Sequence, residues 1–218
     1  DDIKNQIIGR VEGLTKIGEN SFETNISYAE EISGFELVQL LNVILGNSSL
    51  QQGIRVERLN LSKNLLRVFK GPRFGREGLR KLLGVWNRPL LCTAIKPLGS
   101  NSETLAHLAY QFALGGIDII KDDHGLANQS FSPFYERVQQ CAQAVEQANR
   151  ETGYHSIYAP NISAPVDKIF EYARFAKNSG AGALMVSPGL IGFDTMRVLA
   201  EDDSLALPII NHPTFQGF

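Results

Sequence analysis

Between residues 88 and 213 the chain alternates short apolar runs with amphipathic stretches, and this alternation constrains the fold more than any other feature. The runs are Leu90 to Lys96, Ile117 to Ile120, Ser156 to Ala159, Ala183 to Val186 and Leu207 to Ile210. They are short, apolar and bounded by Gly or Pro, as strands buried on both faces of a parallel sheet should be. Between them, Glu103 to Leu114 reads as a helix closed by Gly115-Gly116, and Pro133 to Thr152 as a long helix with Pro133 near its first turn and Gly153 as its stop. Pro165 to Asn178, with Gly180 just beyond, and Phe193 to Ala200 complete the series. Regular βα alternation implies a parallel sheet, either doubly wound or closed into a (β/α)₈ barrel. No strand ends in G-x-G-x-x-G, which weakens a dinucleotide site. Instead nearly every strand end carries a polar group: Lys96, then Lys121, Asp123 and His124, then Asn161, Ser187 and His212. Side chains from consecutive strand ends converge in a barrel, whereas a doubly wound sheet gathers its site at one switch point. The expected class is therefore α/β, a TIM barrel represented by about five of its eight βα units. The repeat stops after the fifth strand, so the remaining strands are expected outside this sequence, and the apolar Phe215 and Phe218 fit a chain that continues.

Residues 1–70 read differently. Gln6 to Thr15 and Ser21 to Tyr28 are β-like, and Gly18-Glu19-Asn20 between them signals a hairpin turn. Phe35, Leu37, Val38, Leu40, Leu41, Val43 and Ile44 then recur at helical spacing up to Gly46-Asn47, and Gly53 to Leu59 reads as another strand. This predicts a small β-β-α-β, ferredoxin-like α+β domain over 1–70, with an edge strand expected before residue 1. The turn-rich Gly71-Pro72-Arg73-Phe74-Gly75 and a short helix over Arg76 to Leu83 open the second domain, 71–218. By its position Asn47 is a candidate helix C-cap.

The densest chemistry lies where Ile117 to Ile120 runs into Lys121-Asp122-Asp123-His124. A lysine, two carboxylates and an imidazole after a buried strand can build a metal site, an acid/base pair, or both. Strand alternation sends Asp122 away from the face that Lys121 and Asp123 share, so Asp122 is expected in a structural ion pair. A net charge of -2 and the lack of a basic run argue against nucleic acid or an anionic membrane surface as partner. No apolar stretch approaches the ~20 residues of a membrane helix and no leader pattern opens the sequence. Cys92 and Cys141 sit in apolar patterns, which predicts reduced core cysteines in a cytoplasmic protein.

Two stretches resemble a known family. Leu90-Leu91-Cys92-Thr93-Ala94-Ile95-Lys96-Pro97 and Gly115-Gly116-Ile117-Asp118-Ile119-Ile120-Lys121-Asp122-Asp123 are similar to segments of the ribulose bisphosphate carboxylase large subunit and its RuBisCO-like relatives. Gly71-Pro72-Arg73-Phe74-Gly75 resembles the family's connector at the start of the barrel. The resemblance implies an α+β domain before a barrel, an obligate homodimer, and active sites between one subunit's barrel and the other's N-terminal domain. It also implies roles. Lys96 matches the catalytic lysine that handles protons on the enediolate, and Lys121 the lysine that is carbamylated and binds Mg²⁺. Asp123 matches a second metal ligand, Asn47 the asparagine that the partner subunit contributes, and His212 a histidine near the substrate. Asn161, by its place at a strand end facing the same centre, is a substrate-binding candidate.

The departures point away from carbon fixation. His124 stands where a carboxylase has a metal-binding Glu, and Mg²⁺ prefers oxygen to imidazole. Pro213 replaces the arginine that grips a second phosphate, and Leu98 replaces a second lysine. Ala94 stands where the carboxylase has a threonine before its IKP motif. His124 itself can be a ligand, an acid/base or a hydrogen-bonded support. The resemblance thus implies proton abstraction next to the carbonyl of a mono-phosphorylated ketose. Such chemistry needs a cation at the oxygen and a positioned base, for which burial would tune a lysine such as Lys96. Isomerisation of 5-methylthioribulose 1-phosphate is the leading expectation. Decarboxylation of an oxo-sugar-acid phosphate, enolisation of 2,3-diketo-5-methylthiopentyl 1-phosphate, and a non-catalytic dimer of the same fold are the alternatives.

Overall fold

The computed structural model describes residues 2–215. It divides into two compact units, Asp1–Lys70 and Gly71–Phe218. Phe218, expected at a continuing chain end, lies outside the described residues.

In the first unit, helix α1 (Asp2–Gln6) precedes a hairpin of β1 (Arg10–Lys16) and β2 (Phe22–Ser27), paired antiparallel with an irregularity between Val11 and Gly13. Gln6 is thus helical, and the expected first strand starts later. Helix α2 (Leu37–Leu45) follows, then α3 (Lys63–Val68), whose first turn is capped by Ser62 through the Leu65 N–H. Residues 53–59 are not a strand. Their Ile54 and Val56 alternate with Arg55 and Glu57 before Leu59 falls out of phase, all three apolar residues are exposed, and the segment pairs with no other among the described residues. Alternation defines a two-faced segment; a strand also needs a backbone partner. The expected β-β-α-β unit is therefore β-β-α here.

The second unit begins with α4 (Gly75–Leu83) and continues β3 (Cys92–Ile95), α5 (Ser102–Leu114), β4 (Ile119–Asp122), α6 (Phe134–Thr152), β5 (Ile157–Ala159) and α7 (Val166–Asn178). After these come β6 (Leu184–Val186), α8 (Pro188–Ile191), α9 (Phe193–Glu201) and β7 (Ile209–Asn211). Strands β3, β4 and β5 pair in parallel in that order, as do β6 and β7. A parallel bridge from Asn161 to Met185 joins the two groups, reinforced by the Met185 N–H on Pro160 O. The strands thus lie side by side in chain order with no reversal, the order of a barrel sector rather than of a doubly wound sheet.

Two apolar layers hold the sheet. On one face Ile95, Ile120, Tyr158, Leu184 and Val186 meet the helices. Helix α5 presents Leu105, Ala109 and Ala113, four residues apart, and α6 presents Val138, Cys141, Ala142, Val145 and Ala148. Each such stripe repeats at the helical period, which is why these segments are helices facing a sheet. On the other face Ile119, Ile157, Ala159 and Ala183 pack with Leu83 of α4. Cys141 belongs to the core as expected, whereas Cys92 is exposed; both are free thiols. The edge position and even register of Cys92 turn it away from the helix layer, a placement that its apolar neighbours in sequence do not reveal. The start of β4 is pinned by Asp118. Its carboxylate takes two bonds from the Arg88 guanidinium, at 2.7 and 2.8 Å, and one from the Leu91 N–H at 2.7 Å. Among the described residues no helix is long and apolar enough to cross a membrane.

Candidate active site

The polar residues foreseen at the strand ends lie at the C-terminal ends of these strands, and β4 supplies the centre. In the sheet register Lys121 sits between Ala94 of β3 and Ala159 of β5. Two alanines beside it leave space around its stem. Among the described residues its Nζ donates only to the neighbouring Asp122 carbonyl, at 3.2 Å.

One residue on, Asp123 turns the chain and gathers the charged groups. Lys96 Nζ lies 3.2 Å from Asp123 Oδ1, and His124 Nδ1 lies 3.7 Å from the same oxygen. Burial pushes the Asp123 carboxyl upward, but the Lys96 ammonium, the Gly125 N–H and the His124 ring outweigh it and hold the group below its ordinary value. Lys96 is not the buried base expected from its apolar strand: its side chain is 65% exposed. It follows the last strand residue, Ile95, and reaches over the strand ends to the carboxylate.

His124 and His212 stack, with ring centroids 4.5 Å apart and planes within 14°. His212 is placed by its backbone N–H on Val186 O, and its Nδ1 lies 2.6 Å from Thr214 Oγ1, which fixes the ring. Burial, then the His124 and Lys121 charges, depress the His212 pKa, so the neutral ring is favoured. The stack joins β4 and β7 across the strand ends, and Thr214 as the partner of His212 had no signal in the sequence.

Asp122 points the other way, as alternation demands, into the helix layer. It pairs with Arg137 of α6 at 3.2 Å with both side chains fully buried. The Tyr158 hydroxyl donates to its second oxygen at 2.6 Å. Arg137 was missed in the sequence, although a signal existed: it stands three residues after Phe134 and four before Cys141, on the buried stripe of α6. Asn161, expected to bind substrate, is 3% exposed and its amide is used internally, so that role is corrected. Ser187, another strand end, is buried, with its N–H on Ser163 Oγ. In the first unit Asn47 is exposed; it follows the Gly46 cap of α2 and makes no side-chain cap bond, so it is not the C-cap that its position suggested.

The donor set decides what metal could be held. Among the described residues no three His, Cys, Asp or Glu side chains form a metal-binding group. Asp123 and His124 supply one carboxylate and one imidazole. For Mg²⁺, an oxygen-seeking ion, that pair is too few donors, and a further oxygen would have to come from Lys121 as a carbamate.

Such a set of strands, with lysine, carboxylate and imidazole side chains gathered at their C-terminal ends, defines an α/β protein of the kind that does its chemistry on the barrel's upper face. Residues 75–212 match the family described as ribulose bisphosphate carboxylase large chain, catalytic domain. The chain belongs to this family, among its RuBisCO-like members. It is 37% identical over 212 residues to a 5-methylthioribulose-1-phosphate isomerase of Rhodospirillum rubrum, covering 97% of this chain and 56% of that protein. It is 33% identical over 215 residues to a 2,3-diketo-5-methylthiopentyl-1-phosphate enolase of Bacillus licheniformis, covering 98% and 53%. The crystal structure of a Rubisco-like protein from Rhodopseudomonas palustris superposes with a TM-score of 0.90 at 38% identity, over 94% of this chain and 59% of that one. The chain therefore spans somewhat more than half the length of the relatives it matches.

Proposed function

We propose that the protein abstracts a proton next to the carbonyl of a mono-phosphorylated ketose, without fixing CO₂, and that the reaction is isomerisation of 5-methylthioribulose 1-phosphate. The observation that carries this reading is the joining of the Lys96–Asp123 pair to the stacked His124 and His212. It offers an ammonium, a carboxylate and a neutral imidazole within one cluster, the set needed to take a proton from one carbon and return it to the next. The imidazole at position 124 favours isomerisation over the enolisation of the diketo substrate, because a carboxylate there would serve the metal instead. The isomerase relative supports the substrate.

Asp123 and Lys121 as its carbamate would hold Mg²⁺, which would supply Lewis-acid stabilisation of the developing enediolate and leave the His124 ring free to carry a proton. Lys96 delivers or takes a proton at Nζ, with Asp123 orienting it. His212 accepts a proton at Nε2 while Thr214 holds its other nitrogen. The site is completed in a homodimer by Asn47 of the partner subunit, whose exposed amide is available for substrate. The reading is tested on the full-length protein in D₂O with 5-methylthioribulose 1-phosphate. Deuterium should enter the substrate carbon next to the carbonyl, Lys96→Ala should slow this by about 10²–10⁴-fold, and Mg²⁺ should stabilise the protein only when bicarbonate is present. Unchanged exchange in both Lys96→Ala and Lys121→Ala would sink the enzyme reading.

A further inference from the structure

The loop that carries Asp123 and His124 is held from beneath by groups that never reach the site. Asn161 spends both hydrogens of its side-chain amide on this. Its backbone N–H donates to Asp122 Oδ2 at 3.0 Å. Both amide hydrogens on Nδ2 go to loop carbonyls, His124 O and Leu126 O, each at 2.9 Å. Its Oδ1 accepts from the Ser163 N–H at 3.1 Å. No hydrogen of this amide remains for a substrate.

Asp122 in turn holds Asn161. One carboxylate oxygen accepts from the Tyr158 hydroxyl, and the other from both the Asn161 N–H and Arg137 Nε. Arg137 continues outward, donating to Ala127 O and Ser132 O at 2.8 Å each. The segment from 123 to 132 is thus fixed at His124, Leu126, Ala127 and Ser132, and all four anchors lead back to one buried carboxylate. A buried ion pair is a poor way merely to fasten a helix to a sheet, because an apolar pair of similar size does that at least as well. The surroundings here are apolar, with Ile95, Ile120, Val138 and Cys141 all fully buried. What an apolar pair cannot do is bind carbonyls of a loop.

We propose that Asn161 is a positioning residue for the loop bearing Asp123 and His124, and that Asp122, gripped by Arg137 and Tyr158, fixes Asn161 in turn. The loop sets the height of the Asp123 carboxylate against Lys96 and of the His124 ring against His212. Misplacing a reacting group by even an ångström is expensive in rate.

The kinetic arm of the test rests on the proposed reaction; the exchange arm does not. In the full-length protein, Asn161→Asp keeps the Oδ acceptor but removes both Nδ2 donors, and Tyr158→Phe removes one hydroxyl and nothing else. Amide hydrogen exchange at residues 125–127 should rise about tenfold or more in Asn161→Asp, and less in Tyr158→Phe, while protection in α6 stays as in the wild type. The turnover number should fall by about 10–100-fold in Asn161→Asp with KM little changed, the loss expected when a supporting partner is removed. If Asn161→Asp fails to fold, Tyr158→Phe carries the test. Loop protection and turnover equal to wild type in the folded variants, with only the melting temperature lowered, would overturn the proposal by showing a purely structural role. Wild-type protein that protects the loop but exchanges no substrate proton would overturn the functional reading, while the exchange arm still decides the positioning one.

Discussion

Replacing Arg137 with Met tests the buried network at its most expensive point. In the native protein Asp122 is fully buried and has three donors, at 2.6, 3.0 and 3.2 Å. Met fills much of the volume but removes the guanidinium, leaving the carboxylate without its counter-charge and the Ala127 and Ser132 carbonyls without their donors. Breaking a buried pair from one side costs about 3–5 kcal/mol, because the partner charge stays behind uncompensated. The loss has a pH signature. Burial pushes the Asp122 carboxyl upward, and the Arg137 charge is the first of the influences opposing it. Without Arg137 the folded-state pKa therefore rises further above the unfolded value near ~3.9. A carboxyl with a raised folded pKa binds its proton more tightly when folded, so the variant's stability falls as pH rises through that window and recovers toward acid. The deficit against wild type should thus be largest near neutral pH and shrink at about pH 5. Chemical denaturation of both proteins, followed by a probe in the second unit at several pH values, measures it. A deficit below about 1 kcal/mol at neutral pH, or one that grows on acidification, would refute the assignment of Asp122 as a buried, paired carboxylate.

Two other outcomes follow from the geometry. At Asp118, burial raises the carboxyl but the Arg88 fork and the Leu91 N–H bring it below its ordinary value, so its contribution is present above the unfolded pKa and lost as pH falls through the folded one. Asp118→Asn should therefore cost about 1–2 kcal/mol near neutral pH, discounted because Arg88 is half exposed, and the difference from wild type should begin to shrink only as pH falls below about 4 in acid-unfolding curves. His124→Glu returns an oxygen donor beside Asp123, and should strengthen Mg²⁺-dependent thermal stabilisation while lowering substrate proton exchange; calorimetry with and without bicarbonate, and the D₂O assay, measure the two effects.

Where the sequence was legible, it was because a periodicity has one physical meaning. Leu105, Ala109 and Ala113 can share a face only in a helix, and Lys121, Asp122 and Asp123 must alternate in a strand, so both α5 and the inward turn of Asp122 follow from spacing. Residues 53–59 show the limit. Their alternation is as good as that of β1, but it identifies a surface, and strand formation depends on a partner elsewhere in the chain. Cys92 and Lys96 fail similarly: apolar neighbours along the chain say nothing of how open the edge strand is. Asn161 was found by its place at a strand end, yet its role was misread. Spacing gives the place of a polar group, whereas its role depends on partners 35 and 37 residues away. The stack of His124 on His212 is of the same kind, since nothing local links β4 to β7.

Charge at the centre ties these strands together. Lys96 faces a single carboxylate, Asp123, and Lys121 adds a second basic side chain at the same strand ends, near a His212 ring biased toward its neutral form. A divalent cation entering this cluster meets net positive charge and is repelled. On the proposed reading, carbamylation of Lys121 would turn a cation into an anion and shift that balance by two charges, so that Mg²⁺ and CO₂ would bind together. A carboxylate at 124 would add a further negative charge and relax the requirement. With imidazole there, metal affinity is weaker and a proton carrier is gained, stacked on a second ring that is held neutral. On the proposed reading, imidazole at this one position would move the site's chemistry from holding the metal toward moving protons between carbons, with the buried carboxylate two residues earlier holding that imidazole in place through Asn161.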